Sequence, residues 1–127
     1  MDIIDTYKET INLDKDSKFN YTLKPNSFAR LFFYDRVGVD VKININLEKN
    51  SSCEMYGFFK NEGRDPKVVT TVTHKGENSV CDQDFRFVNK DCDSTFEGKI
   101  TIPRNVTGCE SHMLNKNLLL DWTLDLL

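Results

Sequence analysis

The chain has 127 residues, 39% hydrophobic and 29% charged, with a formal net charge of −3. That length suits one ordinary domain, and no run of about eighteen apolar residues is present to span a bilayer. Acidic and basic residues are intermixed, so no basic block offers itself to nucleic acid. At the N-terminus, residues 1 to 9 lack both the basic start and the apolar stretch of a secretory signal, which points to the cytoplasm. Residues 1 to 24 are the least determined part of the single domain. Within them Ile4, Tyr7 and Ile11 have helical spacing, so a short terminal helix is allowed over 3 to 13.

The surest element runs from 37 to 47, where Val37, Val39, Val41, Ile43, Ile45 and Leu47 alternate with Gly and polar residues. A polar turn follows, and Cys53, Met55, Gly57 and Phe59 then share one face of a second strand. "VVTTVTH" (68 to 74) is β-branched at six of seven positions, which suits a pleated surface and resists the helix. Phe85, Phe87 and Val88 mark a fourth strand. "STFEGKITI" (94 to 102) marks a fifth, with Phe96, Gly98, Ile100 and Ile102 on one side, and Pro103 closes it. Segments 107 to 114 and 117 to 120 supply two more strands, and a helix is also allowed over 118 to 127.

Strands at such intervals fit either an antiparallel β-sandwich or a β-helix of stacked parallel coils. A sandwich usually shows Asn-Gly or Asp-Gly hairpin turns. The chain has none, which favours the β-helix.

Cysteines 53, 81, 92 and 109 form no Cys-x-x-Cys pair, so the usual structural zinc spacing is missing and free thiols are expected. Against this, Asn20-Tyr-Thr, Asn50-Ser-Ser and Asn105-Val-Thr match the glycosylation triplet, and with four cysteines they would suit a secreted, disulfide-bonded sandwich binding module. Cys81, Cys92, Cys109 and His112 are the candidate metal ligands, although residues three apart on a strand face opposite sides. His74 with Cys81, oriented by Asp82 or Asp84, is the one conceivable nucleophile and base. Asn44 with Asn46, and Asn115 with Asn117, could stack as amide ladders between coils. The glycines form no nucleotide-binding pattern.

"VVTTVTH", "CDQDFRFV", "STFEGKITI" and "NVTGCESHMLNKNLLL", in that order, resemble the core of the SufB/SufD family, closest to its SufD side, which scaffolds iron–sulfur cluster assembly. The resemblance covers 67 to 120, with the 37 to 47 strand compatible. It departs at Phe87, where the family usually has Gly, and at Val106-Thr-Gly-Cys109, where the family has an Ala-Gln-Lys-Thr-like step. It implies an all-β, right-handed parallel β-helix without an intrinsic cofactor, a transient iron–sulfur cluster being the one group it suggests. It also implies a non-enzymatic scaffold working by protein contacts, as a homodimer or with a SufB/SufD-like partner.

The family's further coils, its Cys-x-His segment and its helical region that holds the SufC ATPase have no counterpart before the end of this sequence, which puts a SufC contact in doubt. The last coil then needs a cover. Leu118, Leu119, Leu120, Trp122 and Leu124 are the expected interface, with a second copy or the tail itself as the cover. A carbohydrate-active β-helix enzyme, which needs an acidic groove, stands as a further alternative.

Overall fold

The computed structural model describes residues 1–120, all in strands, turns and loops. Ten strands follow in order: β1 (Asp2–Ile3), β2 (Thr6–Leu13), β3 (Ser17–Leu23), β4 (Phe28–Asp35), β5 (Val41–Leu47), β6 (Ser52–Glu62), β7 (Lys67–His74), β8 (Val80–Lys90), β9 (Thr95–Thr101) and β10 (Glu110–Leu120). Odd strands form one five-stranded sheet and even strands the other, each ordered along the chain. Every neighbouring pair is parallel. The chain therefore winds as a parallel β-helix, each coil giving one strand to each sheet, and the antiparallel sandwich is excluded.

The core lies between the sheets. Val41, Ile43, Ile45 and Leu47 of β5 face Ala29, Leu31 and Phe33 of β4 and Cys53, Met55 and Phe59 of β6, all buried. Phe59 and Phe87 stack at 4.9 Å between ring centroids, and Phe85 packs against Phe96 at 5.1 Å. Gly57 makes room for this stack, since a Cβ there would lie 2.3 Å from the Phe85 ring.

Two helical expectations change. Residues 3 to 13 are β1 and β2, with Asp5 at φ 64° between them and Ile4 exposed. Pairing of Thr6–Leu13 with β4 overrides the helical spacing of Ile4, Tyr7 and Ile11. Leu118 to Leu120 continue β10, which also joins the two segments expected over 107 to 120. The remainder of that proposed helix lies outside the described residues.

The strand expected from residue 37 begins at Val41. Buried Asp35 accepts the backbone N–H groups of Val37, Gly38 and Val39 at 2.7, 3.0 and 2.9 Å, so the chain turns there instead of pairing. Gly38, at φ 84°, permits the turn.

The opposite corner repeats from coil to coil. Asn26, Asn50 and Asn78 each adopt a left-handed φ, between 59° and 65°. The serine after each one, Ser27, Ser51 and Ser79, donates its hydroxyl to the carbonyl three residues back at 2.6, 2.6 and 2.9 Å. Asn-Ser at 26, 50 and 78 is thus an internal repeat that the sequence displays and that strand periodicity alone passes over.

Candidate functional site

In the last coil the corner changes chemistry. Gly108, at φ 72°, takes the asparagine's place and Cys109 the serine's. Cys109 is half-buried, with its Sγ 3.4 Å from Ser79 Oγ and 3.5 Å from the Gly76 carbonyl. Ser79 Oγ is also 2.8 Å from His74 Nδ1. Because the one serine proton goes to Gly76, His74 must carry its own proton on Nδ1 and donate it to Ser79. Its Nε2 is left buried with no hydrogen-bond partner among the described residues. Burial lowers the His74 pKa, so the ring is neutral.

Cys53 and Cys81 are register partners on β6 and β8 and are fully buried. A hydrogen bond with Cys81, and then burial, push the Cys53 thiol well above its ordinary value. A thiol held protonated in the core is a poor nucleophile. Asp82 and Asp84 sit on the other face of β8, and Asp84 pairs with Arg86 at 3.1 Å, so neither carboxylate orients the His74 ring towards Cys81.

The four sequence-proposed metal ligands fall in separate places. Cys81 is in the core, and half-buried Cys92 lies in the corner between β8 and β9. Cys109 lies in the corner between β9 and β10, at the far end of β9 from Cys92, some 20 Å away at the usual rise of a seven-residue strand. His112 is exposed on the outer face of β10, beside Asp82. Among the described residues no group of three or more His, Cys, Asp or Glu side chains stands close enough to hold a metal ion.

The proposed acidic groove finds little support. A depression of about 380 Å³ mixes Asp16 and Asp40 with Lys18, Lys42 and Lys67. Its two carboxylates hold corners together: Asp16 accepts the Asp40 N–H at 2.9 Å, and Asp40 the Lys67 N–H at 2.8 Å. Asn46 donates to Asn20 at 3.3 Å and Asn61 to Asn89 at 2.8 Å, so amide ladders do link coils. The first lies on the outer face where Asn44 and Asn46 were singled out. The second is interior.

Leu118 and Leu119, proposed as interface, lie on opposite faces of β10, over Val88 and Asn89 of β8. Leu119 is 66% exposed although it continues an inward-facing column, and Met113 on the same face is 44% exposed. Leu120 pairs with Lys90. Trp122 and Leu124 lie outside the described residues.

These features define a short parallel β-helix whose accessible thiols sit on its corners and whose last coil presents apolar side chains. A family model described as the SufBD core domain of the SUF system for iron–sulfur cluster assembly matches residues 33–123. The chain belongs to that family, and the resemblance read over 67 to 120 extends back into β4. No curated protein and no solved structure matches the chain.

Proposed function

We propose that the protein is a non-enzymatic cytoplasmic scaffold of iron–sulfur cluster assembly, acting by contact between its last coil and another SufB/SufD-type β-helix. The observation that carries this is Leu119: an inward-column leucine left 66% exposed, with Met113 also open on that face and Leu114 and Leu118 open on the outer face of the same strand. A coil that exposes apolar side chains among the described residues offers a docking edge in stacked architectures. Family membership supplies the assembly context. A transient cluster would be cargo at such a joint. Cys92 and Cys109 are half-buried thiols at opposite ends of β9, too far apart to share one cluster, so at most one of them would serve as a ligand and a partner would have to contribute the rest.

The test mixes the purified chain with a full-length SufB-type protein, measures mass in solution, and then reconstitutes both anaerobically with iron and sulfide. A complex that Leu119→Lys abolishes, with visible cluster absorbance stronger for the mixture than for either protein alone, supports the reading. Failure of the wild-type chain to form the complex rejects it.

A further inference from the structure

In an isolated β-helix both outer faces meet water, yet the two faces differ here. The outer face of the odd-strand sheet is polar, carrying Lys18, Lys42, Asn20, Asn44 and Thr71. That of the even-strand sheet carries a tile of four aromatics from two adjacent coils. Phe32 pairs in register with Tyr56, and Tyr34 with Phe58, the latter two rings stacked at 5.8 Å. Phe32 and Tyr56 are 37% and 36% exposed. Beside them lies a depression of about 290 Å³ lined by Phe32, Tyr56, Gly57, Phe58, Asp84 and Arg86.

The charges flanking the tile are ordered. Along the outer column next to the aromatics, register pairing places Lys8, Arg30, Glu54 and Asp82 in successive coils. The column is positive for two coils and negative for the next two, and ends at His112 of β10. Its sign reverses between β4 and β6, at the middle of the aromatic tile. A column of this kind is complementary to itself turned end over end.

We propose that this face is the interface of a homodimer, with a two-fold axis parallel to the strands and passing between β4 and β6. Such an axis keeps each column opposite the same column of the second copy and reverses the order of the coils. Arg30 then meets the partner's Glu54, Lys8 the partner's Asp82, and Phe32 the partner's Tyr56. Tyr34 meets the partner's Phe58, and the depression receives an aromatic ring. The existing Arg30–Glu54 ion pair, at 2.7 Å, becomes half of an alternating ring of four charges. The tile lies on the outer face, whereas Leu119 continues the inward-facing column, so the inference does not rest on the proposed scaffold role.

The test is sedimentation equilibrium of the purified chain and of outer-face variants, with circular dichroism confirming that each variant keeps its fold. The wild type is expected to dimerise at micromolar concentrations. Arg30→Glu and Glu54→Arg should each weaken dimerisation by about thirtyfold or more, as a central interface residue does. Because the two residues face each other across the axis, an equimolar mixture of the two single variants should recover a heterodimer, and the double variant R30E/E54R a homodimer. A monomeric wild type overturns the proposal. So does a dimer unaffected by Arg30→Glu and lost with Leu119→Lys, or single variants that the mixture fails to rescue.

Discussion

His74 donates from Nδ1 to Ser79 Oγ across 2.8 Å, inside the corner that joins β7 to β8. The bond ties the last residue of one strand to the repeating serine of the corner, and it fixes a neutral imidazole in the core.

The pH dependence of stability follows from it. Burial lowers the folded pKa of His74 below its ordinary 6.5, so as pH falls through about 6.5 the unfolded chain takes up a proton that the folded chain refuses. Stability is therefore fully present above that value and declines below it, at no more than about 1.4 kcal/mol per pH unit for one group. Chemical denaturation between pH 7.5 and 5 should show the decline, and His74→Gln should flatten it. An equal slope in the variant would place the effect elsewhere.

Asp35 makes a second corner in another way, with three backbone N–H groups converging on one buried carboxylate. Asp35→Ala leaves those donors without their acceptor and should lower unfolding free energy by about 3 kcal/mol or more. Asp35→Asn, which keeps one acceptor oxygen, should lose less. Urea titration ranks the three proteins, and equal midpoints would show that the turn holds without the carboxylate.

How far the sequence discloses this architecture depends on the faces of each strand. β5 and β7 are legible because one side is apolar or β-branched and the other polar. β4 is not: Ala29, Leu31 and Phe33 point inward while Phe32 and Tyr34 point outward, so the alternation disappears into a continuous apolar run. What hides the strand is the same set of residues that forms the aromatic outer face. The start of β5 is illegible for a different reason, since Val37 and Val39 continue its alternation while a side chain four residues before Val39 takes their amides. Of the candidate ligands, spacing argued against Cys109 and His112 sharing an ion on the premise of a single strand, whereas Cys109 lies in the corner before β10. Spacing held nothing about Cys92, whose distance from Cys109 is set by the length of β9.

The corner repeat predicts a ranking at Asn50. Its φ of 59° suits Asn or Gly, so Asn50→Gly should change stability by a few tenths of a kcal/mol, while Asn50→Val should cost about 2 kcal/mol. Glycine at the equivalent corner position, Gly108, shows that the coil accepts it. Thermal unfolding of both variants checks the order.

Gly57 and Gly63 separate close packing from backbone strain. A methyl group at Gly57 meets Phe85 at 2.3 Å and Phe59 at 2.7 Å, whereas one at Gly63 meets no atom within 4 Å but sits at φ 69°. Gly57→Ala must displace the aromatic stack and should cost about 3 kcal/mol. Gly63→Ala carries only the left-handed conformation, about 1 kcal/mol. Comparable losses at the two sites would mean that the stack can shift freely, against the close packing of its rings.

Thiol reactivity offers the most direct reading of the corner chemistry. Cys92 and Cys109 are half-buried at the corners bounding β9, and Cys53 and Cys81 are enclosed, with the Cys53 thiol pushed up. A thiol-specific reagent at neutral pH should modify two cysteines of the native protein quickly and the other two only as the chain unfolds, because attack requires an accessible thiolate. Mass spectrometry of peptides from briefly treated protein should find the label on Cys92 and Cys109. Ser79→Ala removes a hydroxyl 3.4 Å from the Cys109 sulfur and should alter the rate at Cys109 while leaving Cys92 unchanged. Labelling of Cys53 or Cys81 at the native rate would show that the coils open locally, and the core pair would then have to be counted among the accessible thiols.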